Sequence, residues 1–368
     1  MIQEQKSILR ICLAGLLLIC GFGFCDPARA AADPAIIRAA DKEGVLRIYT
    51  NTHKNVADDL LSAFHRLYPS IRIDYNDLNA APLYDRFRAE VAGHKPTADF
   101  VWSSAMDLQV KLINDGFART YSSPERGALP SWVLWRNQGY GITIEPVVFV
   151  YNRSMIPKKE IPKTHADFEE LLRTHQNQFR NKVATYDPFG SEVGMLFLSQ
   201  DIRVTRDTWD LVQAMGATAP DFYSNAGDVI QHISDGTHAL GYNVMGSYAL
   251  EWQKRDPRVG VVFPADYVLL MSRIAFIPLA ASHPNAAKLF LDFLLSTQGQ
   301  VLLSQHSMMP VRLDVPAPAD QPKLDPLHVQ IIQINASLLS NLDRLVRLRF
   351  ARDWSRALGP SVGREDMH

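Results

Sequence analysis

Two apolar runs constrain the architecture of this chain more than any other feature. Residues 141–151 have the sequence GITIEPVVFVY, and residues 267–277 have the sequence YVLLMSRIAFI. Both runs are short and rich in β-branched and aromatic residues, which favours buried strands over helices. A long region of mixed strand and helix patterns separates them. We therefore predict two neighbouring strands that lead the chain from one lobe into a second lobe and back.

Strand-like and helix-like segments alternate on both sides of the first run. Residues 45–49 (VLRIY) alternate like a strand, and apolar residues then recur at helical spacing over 56–68. The same order continues through 71–115 and again through 165–254. This alternation predicts an α/β fold, with a mostly parallel sheet in the first lobe. A chain of 368 residues is also longer than one hydrophobic core usually supports.

The predicted lobes are discontinuous in sequence. The first lobe comprises residues 31–141 and 267–315, and the second comprises 142–266. Residues 316–368 are predicted to form a proline-rich linker and a helical C-terminal extension, in which arginines are interspersed with apolar residues. We expect this extension to pack on the lobes with a solvated basic face. A docking surface is the alternative.

Residues 1–30 have the features of a secretory signal peptide. Lys6 and Arg10 precede an apolar stretch over 11–24, and Ala28-Arg29-Ala30 matches an A-x-A cleavage site. The apolar stretch is shorter than the roughly 20 residues that a membrane-spanning helix needs. We therefore predict cleavage after Ala30 and export to the periplasm.

Cysteine usage agrees with this prediction. All 3 cysteines, Cys12, Cys20 and Cys25, lie within the predicted signal peptide. The mature chain would then have no disulfide, no thiol nucleophile and no cysteine metal ligand. A lipoprotein signal at Cys20 is a weaker alternative, because Ile19 occupies a position where a small residue is expected.

Composition and motifs exclude several classes of function. The formal net charge is −1, so the chain lacks the basic excess that nucleic-acid-binding proteins show. The sequence contains no G-x-S-x-G, H-E-x-x-H or P-loop motif, and no pair of histidines has metal-site spacing. We predict a protein that is not an enzyme and that carries neither a cofactor nor a resident metal.

Small polar residues follow several predicted strands, at the points where helices begin. In open α/β sheets the ligand lies beyond the carboxyl ends of the strands, where helix N-termini favour anions. The candidate residues at these junctions are Asn51, Thr52, His53, Ser103, Ser104, Gly190, Ser191, Asn225, Ser247 and Tyr248. Helix capping alone explains any one of them. Several of them at one edge of two facing lobes favour a binding site.

Two more candidates complete the predicted site. Glu145 is expected at the floor of the cleft, although a structural salt bridge is the alternative for it. Asn243 is expected to assist in binding an oxyanion, together with His53. Tyr248 and Glu145 would contact the remainder of the ligand, with a packing role as the alternative for Tyr248.

Several segments together resemble the periplasmic solute-binding proteins of ABC importers. They are the signal peptide and the stretches VLRIYTNTHK, ADFVWSS, EPVVFVYN, SDGTHALGYNVMGSY and HPNAAKLFLDFLLSTQGQ. The resemblance extends over roughly residues 45–313 and is to the ferric-iron-binding group and its phosphoglycerate- and phosphonate-binding cousins. It implies a two-lobed fold with two crossing strands, which closes around one solute and delivers it to a permease in the inner membrane.

The resemblance also bears on the ligand. Iron-binding members use a histidine in the first loop, a carboxylate after the third strand and a tyrosine pair before a late helix. His53 matches the first position, but Ser104 and Gly246-Ser247 occupy the other two. Ferric iron prefers hard anionic oxygens, so these replacements favour a phosphate or another oxyanion.

We therefore predict a periplasmic binding protein for a small anionic solute such as an organophosphate or phosphonate. Thr52, Ser103, Ser104, Ser191 and Ser247 are the predicted hydrogen-bond donors. One alternative is a ferric-iron carrier. The other is a ligand sensor that acts on a membrane sensor kinase through its basic tail.

Overall fold

The computed structural model of the protein describes residues 32–317, 321 and 323–359. The predicted signal peptide lies outside these described residues. Within the described part of the chain, every helix is too short or too polar to cross a lipid bilayer.

The first lobe is built on a six-stranded sheet. In spatial order its strands are β2 (Arg72–Asp77), β1 (Val45–Thr50), β3 (Phe100–Ser103), β12 (Ile274–Phe276), β5 (Gly139–Gly141) and β4 (Leu134–Trp135). β1 pairs in parallel with β2 and β3, whereas β12 runs antiparallel to β3 and β5. The helices of this lobe are α1 (Pro34–Glu43), α2 (Lys54–Leu67), α3 (Ala80–Ala92), α4 (Met106–Asn114), α10 (Pro284–Leu295) and α11 (Thr297–Ser304), with short 3₁₀ turns at Pro124–Ala128 and Ser131–Val133.

The second lobe is built on a seven-stranded sheet. Its strands lie in the order β13 (Val329–Ile331), β11 (Val268–Met271), β6 (Glu145–Asn152), β9 (Leu240–Met245), β7 (Val183–Tyr186) and β8 (Asp221–Tyr223), and β10 (Val259–Val262) also pairs with β6. All eight residues of β6 are buried, because both faces of this strand are covered. Its helices are α5 (His165–Thr174), α6 (Gly194–Val204), α7 (Thr208–Ala217), α8 (Ala226–Ser234) and α9 (Gly246–Arg255), with a 3₁₀ turn at Lys158–Glu160.

The chain crosses between the lobes twice, in opposite directions. These crossings confirm the predicted two-lobed α/β fold with crossing strands. β5 leads into β6, and β11 leads back into β12. The prediction of one strand over 267–277 was wrong in detail, because Ser272-Arg273 separates β11 from β12. At this point the backbone N–H of Arg273 donates to the Thr143 hydroxyl at 2.9 Å instead of continuing a strand ladder. β11, which the predicted boundaries placed in the first lobe, pairs with β6 in the second sheet.

The C-terminal extension contacts both lobes. After a 3₁₀ turn at Pro326–His328, β13 pairs in parallel with β11, and a second 3₁₀ helix, Ala336–Leu342, packs on α4 of the first lobe. A final helix, α12 (Arg344–Leu358), packs on α7 of the second lobe. This helix buries Phe350, Trp354 and Leu358, and most of its arginines are exposed. The extension therefore reaches across the molecule from one lobe to the other.

One buried carboxyl group makes stability depend on pH. Asp292 on α10 is only 7% exposed and accepts a hydrogen bond from the Tyr121 hydroxyl at 2.6 Å. Burial raises the pKa of Asp292 to about 6. An unfolded aspartate titrates near 3.9, so the contribution of Asp292 is fully present below about pH 4 and is lost as the pH rises through about 6.

Asp292→Asn is expected to raise the free energy of unfolding at pH 7.5 by about 1–3 kcal/mol, because the amide avoids the buried charge. The difference from wild type should largely vanish near pH 3, where the carboxyl is mostly neutral in both the folded and unfolded states. Urea unfolding across this pH range measures the effect. Asp58→Asn, at a half-exposed position on α2, is the matched control and should show no such trend. An equal gain at both pH values would contradict the assignment.

Candidate functional site

A cavity of about 360 Å³ lies between the two lobes. Its wall includes Asn51 and Asp77 from the first lobe, and Glu192, Asn225 and Ser247 from the second. These residues lie at or just beyond the carboxyl ends of β1, β2, β7, β8 and β9. This is the edge at which open α/β sheets bind their ligands.

Five helices begin at this cavity. They are α2 after His53, α3 after Asn79, α6 after Val193, α8 after Asn225 and α9 after Met245. Asn225 caps α8 with its side chain, whereas within the described residues the other four helices receive no capping hydrogen bond from their own N-cap side chains. Uncapped first-turn N–H groups and the positive ends of the helix dipoles favour negative charge in the cavity.

The carboxylate of Glu192 joins the two lobes at the cavity wall. Its Oε1 accepts hydrogen bonds from Asn51 Nδ2 at 2.6 Å and Ser104 Oγ at 3.0 Å. Its Oε2 accepts from the backbone N–H of Ala80, the first residue of α3, at 3.2 Å. The backbone N–H of Ser104 in turn donates to Asn51 Oδ1 at 3.1 Å and fixes the amide. We call Asn51, Ser104 and the Ala80 N–H the donor trio. In this structure the trio holds a carboxylate.

A fully buried ion pair lies at the crossing strands. Arg273 and Glu145 are each 0% exposed, with Nε donating to Oε1 at 2.8 Å and Nη2 donating to Oε2 at 3.3 Å. Glu145 also accepts from the Thr143 hydroxyl at 2.9 Å and from the Ser247 hydroxyl. Arg273 Nη1 donates to Thr52 Oγ1 at 2.8 Å. Burial alone would lower the pKa of Arg273, but the charge of Glu145, its hydrogen bonds with the guanidinium and the nearby Tyr248 together raise it.

Sequence reasoning missed this arginine and also missed Glu192. The signal for Arg273 was present, because it is the one charged residue in the run over 267–277. The only carboxylate of the other crossing run is its partner, Glu145. Glu192 gave no comparable signal, since a glutamate just before a helix is common for helix-dipole reasons alone.

Five predicted ligand residues line the cavity. They are Asn51, His53, Asn225, Ser247 and Tyr248. His53 Nδ1 lies 3.1 Å from Asp77 Oδ2, and its ring meets that of Tyr248 edge to face, with centroids 6.2 Å apart. Ser104 lies directly behind Asn51 and Glu192, within hydrogen-bond reach of both.

Other predicted residues are engaged by neighbours outside the cavity wall. Thr52 and Glu145 both bind Arg273. For Glu145 this contact is the structural salt bridge that was the alternative to a ligand contact. Ser103 is buried, and its hydroxyl accepts from the Ala105 N–H at 3.2 Å.

Gly190 and Ser191 form the turn that precedes Glu192. The Ser191 N–H donates to the Asp187 carbonyl at 2.9 Å, and the Ser191 hydroxyl accepts from the Val193 N–H at 3.3 Å. A Cβ atom at Gly190 would lie 2.6 Å from Asp187 Oδ2, so a larger residue here would displace the Asp187 side chain. Both predicted residues thus shape the turn that presents Glu192.

Asn243 lies in the core of the second lobe. Its Nδ2 donates at 2.5 Å to Asp201, a carboxyl group that is 0% exposed and also accepts from the hydroxyls of Tyr242 and Tyr267. Burial raises the pKa of Asp201. Asn243 was predicted to contact the ligand, but it is not among the residues that line the cavity.

Gly246 explains why a tyrosine is missing before α9. A Cβ atom at this position would lie 2.6 Å from the Pro146 carbonyl oxygen, so only glycine fits between α9 and β6. Within the described residues, no group of three or more histidine, cysteine, aspartate or glutamate side chains is arranged to hold a metal. Neither of these observations favours iron.

Comparisons with known proteins agree on one family. Residues 62–328 match the model of the bacterial extracellular solute-binding protein family. The substrate-binding protein of an ABC transporter from Agrobacterium tumefaciens is 36% identical, with a TM-score of 0.80 over 86% of this chain and 94% of that one. No curated protein sequence matches the chain.

More distant solved structures share the fold. Iron-bound HitA from Pseudomonas aeruginosa is 17% identical, with a TM-score of 0.67 over 86% of this chain and 99% of that one. AfuA from Actinobacillus pleuropneumoniae, solved with fructose-6-phosphate bound, is 16% identical, with a TM-score of 0.70 over 86% of this chain and 98% of that one.

The Arg273–Glu145 pair yields a stability prediction. Arg273→Met or Glu145→Met alone should lower the free energy of unfolding by about 3–5 kcal/mol, because each leaves one charge buried without its partner. The double variant should lose clearly less than the sum of the two single losses. Urea unfolding of the three variants and wild type completes the cycle. Strictly additive losses would show that the pair is not coupled.

Proposed function

The chain belongs to the bacterial extracellular solute-binding protein family, and we propose that its cleft captures a small anionic solute such as an organophosphate or phosphonate. Members of this family are the solute-binding components of ABC transporters, and the family implies a periplasmic location. The protein would deliver its solute to a permease in the inner membrane. The predicted signal peptide is consistent with this route.

The observation that carries the proposal is the state of the donor trio. Asn51, Ser104 and the Ala80 N–H together hold the two oxygens of a carboxylate at the cavity wall. A hydrogen bond to a charged group contributes about 1.5–3 kcal/mol, so three such donors can bind an oxyanion firmly. The uncapped starts of α2 and α9 add further positive potential to the same cavity.

The charges on the cavity wall favour a phosphate ester over inorganic phosphate. Among the described residues, Asp77, Glu192 and Glu251 supply three carboxylates to the wall, whereas Arg255 is its one arginine. A bare polyanion would be repelled by these carboxylates, but the hydroxyl groups of a polyol phosphate can donate hydrogen bonds to them. The solute we propose therefore combines one anionic group with hydroxyl or amine donors.

A set of three related compounds tests this proposal. The mature protein is expected to show a rise of a few degrees in its melting midpoint with glycerol 3-phosphate or 3-phosphoglycerate, and none with glycerol. A ligand at 100 times its dissociation constant adds about 2.7 kcal/mol to the free energy of unfolding. Thermal shift measures the effect, with inorganic phosphate, 2-aminoethylphosphonate and ferric citrate in the same panel. A response to ferric citrate alone would contradict the proposal and favour the iron alternative.

Adjacent serines provide a matched pair of variants. With Glu192 also replaced by alanine, Ser104→Ala should weaken the binding of whichever oxyanion responds by about tenfold or more, since it removes one donor of the trio and no carboxylate loses the same bond in the unbound state. Ser103→Ala in the same background should leave the affinity unchanged, because the Ser103 hydroxyl accepts from the Ala105 N–H instead of serving the donor trio. Isothermal titration calorimetry gives both values. Equal affinities of the two variants would exclude the donor trio as the anion site.

A further inference from the structure

Glu192 belongs to the second lobe, but every group that holds its carboxylate belongs to the first. We propose that Glu192 is a tethered competitor for the anionic group of the solute and thereby determines which solutes the cleft accepts. Its carboxylate occupies the donor trio and must leave for the solute to bind there. This inference rests on the proposed function and deepens it.

The position of Glu192 shows that the contact depends on the approach of the two lobes. Glu192 follows β7 of the second sheet, whereas Asn51 and Ser104 follow β1 and β3 of the first sheet, and Ala80 begins α3. The three hydrogen bonds, of 2.6, 3.0 and 3.2 Å, can therefore form only while the lobes are close together. Glu192 makes the connection between lobes that a bound solute would otherwise make.

The donor trio cannot serve two anions at once. Oε1 of Glu192 takes the donors on Asn51 and Ser104, and Oε2 takes the Ala80 N–H. A second anion a few ångströms away would be repelled by this carboxylate and would find no free donor in the trio. Glu192 is only half-buried, so its carboxylate can exchange these partners for water when a solute replaces it.

This exchange determines the class of solute. A solute with a carboxylate, phosphonate or phosphate group can replace Glu192 on the same donors with little net loss of hydrogen bonding. A neutral polyol cannot, because its hydroxyl oxygens are weaker acceptors for the three donors than the charged carboxylate that they would replace. Glu192 would therefore exclude neutral solutes of similar size and shape.

The turn that carries Glu192 is braced from outside the cleft. The Phe189 N–H donates to Asp187 Oδ1 at 2.8 Å, and the Phe189 ring lies edge to face with Phe350 of α12, at 5.9 Å between centroids. The guanidinium of Arg347, also on α12, lies 6.0 Å from the same ring. The C-terminal extension thus supports the turn from which Glu192 reaches into the cleft.

Asp77 provides a matched control for Glu192. Both carboxylates line the same cavity, but Asp77 contacts His53 of its own lobe and makes no part of the donor trio. Asp77→Asn therefore removes one negative charge from the cavity without touching the contact between lobes. Glu192→Gln removes the same charge and also weakens that contact, and Glu192→Ala abolishes it.

Two measurements test the proposal. Calorimetry with glycerol 3-phosphate and 3-phosphoglycerate should show that Glu192→Gln and Glu192→Ala bind at least about tenfold more tightly than wild type, and more tightly than Asp77→Asn, which removes a charge from the cavity but leaves the donor trio occupied. Small-angle X-ray scattering without added solute should show a larger radius of gyration for Glu192→Ala than for wild type or Asp77→Asn, because the lobes separate. Both results together support a tethered competitor.

Other outcomes overturn it. If wild type binds these oxyanions and the Glu192 variants bind them equally or more weakly, Glu192 is not a competitor, although the proposed function stands. An unchanged radius of gyration for Glu192→Ala likewise rejects the contact between lobes. If neither wild type nor the variants bind any oxyanion, the proposed function fails, and the competitor role fails with it.

Discussion

The buried pair of Arg273 and Glu145 is the interaction on which the arrangement of the lobes depends. Removing two such charges from water costs several kcal/mol per ion, and this cost is offset only when their remaining hydrogen-bonding groups are satisfied. Here Thr143 and Ser247 donate to the carboxylate, and Thr52 accepts from the guanidinium. The pair therefore ties both crossing connections to the loop after β1 and to the start of α9. These two segments lead directly into opposite walls of the cavity.

With the walls fixed in this way, the chemistry of the cavity follows from how its helices begin. The starts of five helices meet there, and among the described residues four of them receive no capping hydrogen bond from their own N-cap side chains. One lobe supplies the donor trio, and the other supplies the carboxylate of Glu192 that now occupies it. The C-terminal extension, which contacts both lobes, braces the turn that presents this carboxylate. Capture of an anion and closure of the lobes thus depend on the same few atoms.

Much of the fold could be predicted from the sequence, because hydrophobic period and strand-to-helix order are local properties. The alternation over 45–115 corresponds closely to β1, α2, β2, α3, β3 and α4. The division of 267–277 into β11 and β12 could not be predicted, since it depends on Arg273 meeting a carboxylate from a distant run. Contacts between segments remote in sequence leave no local pattern.

The strand-to-helix junctions that form the site could be predicted, but the directions of their side chains could not. Ser103 is the last residue of β3, and Ser104 is the next residue in the chain. The side chains of successive strand residues point to opposite faces of the sheet. Ser103 therefore binds the Ala105 N–H while Ser104 reaches Glu192. Asn243 of β9 points into the core toward Asp201 of α6, a residue that no pattern in the sequence connects to it. Asn51 and Ser247, by contrast, lie on the cavity wall as the junction argument expected.

A crystal structure of the protein with a bound phosphate ester would show whether the solute or Glu192 occupies the donor trio. We expect oxygens of the solute's anionic group to occupy the positions of the Glu192 carboxylate, within hydrogen-bond distance of Asn51, Ser104 and the Ala80 N–H. The Glu192 side chain should then point away from the donor trio. A solute whose anionic group binds elsewhere in the cleft, with Glu192 still on the donor trio, would show that the two do not compete for the same donors.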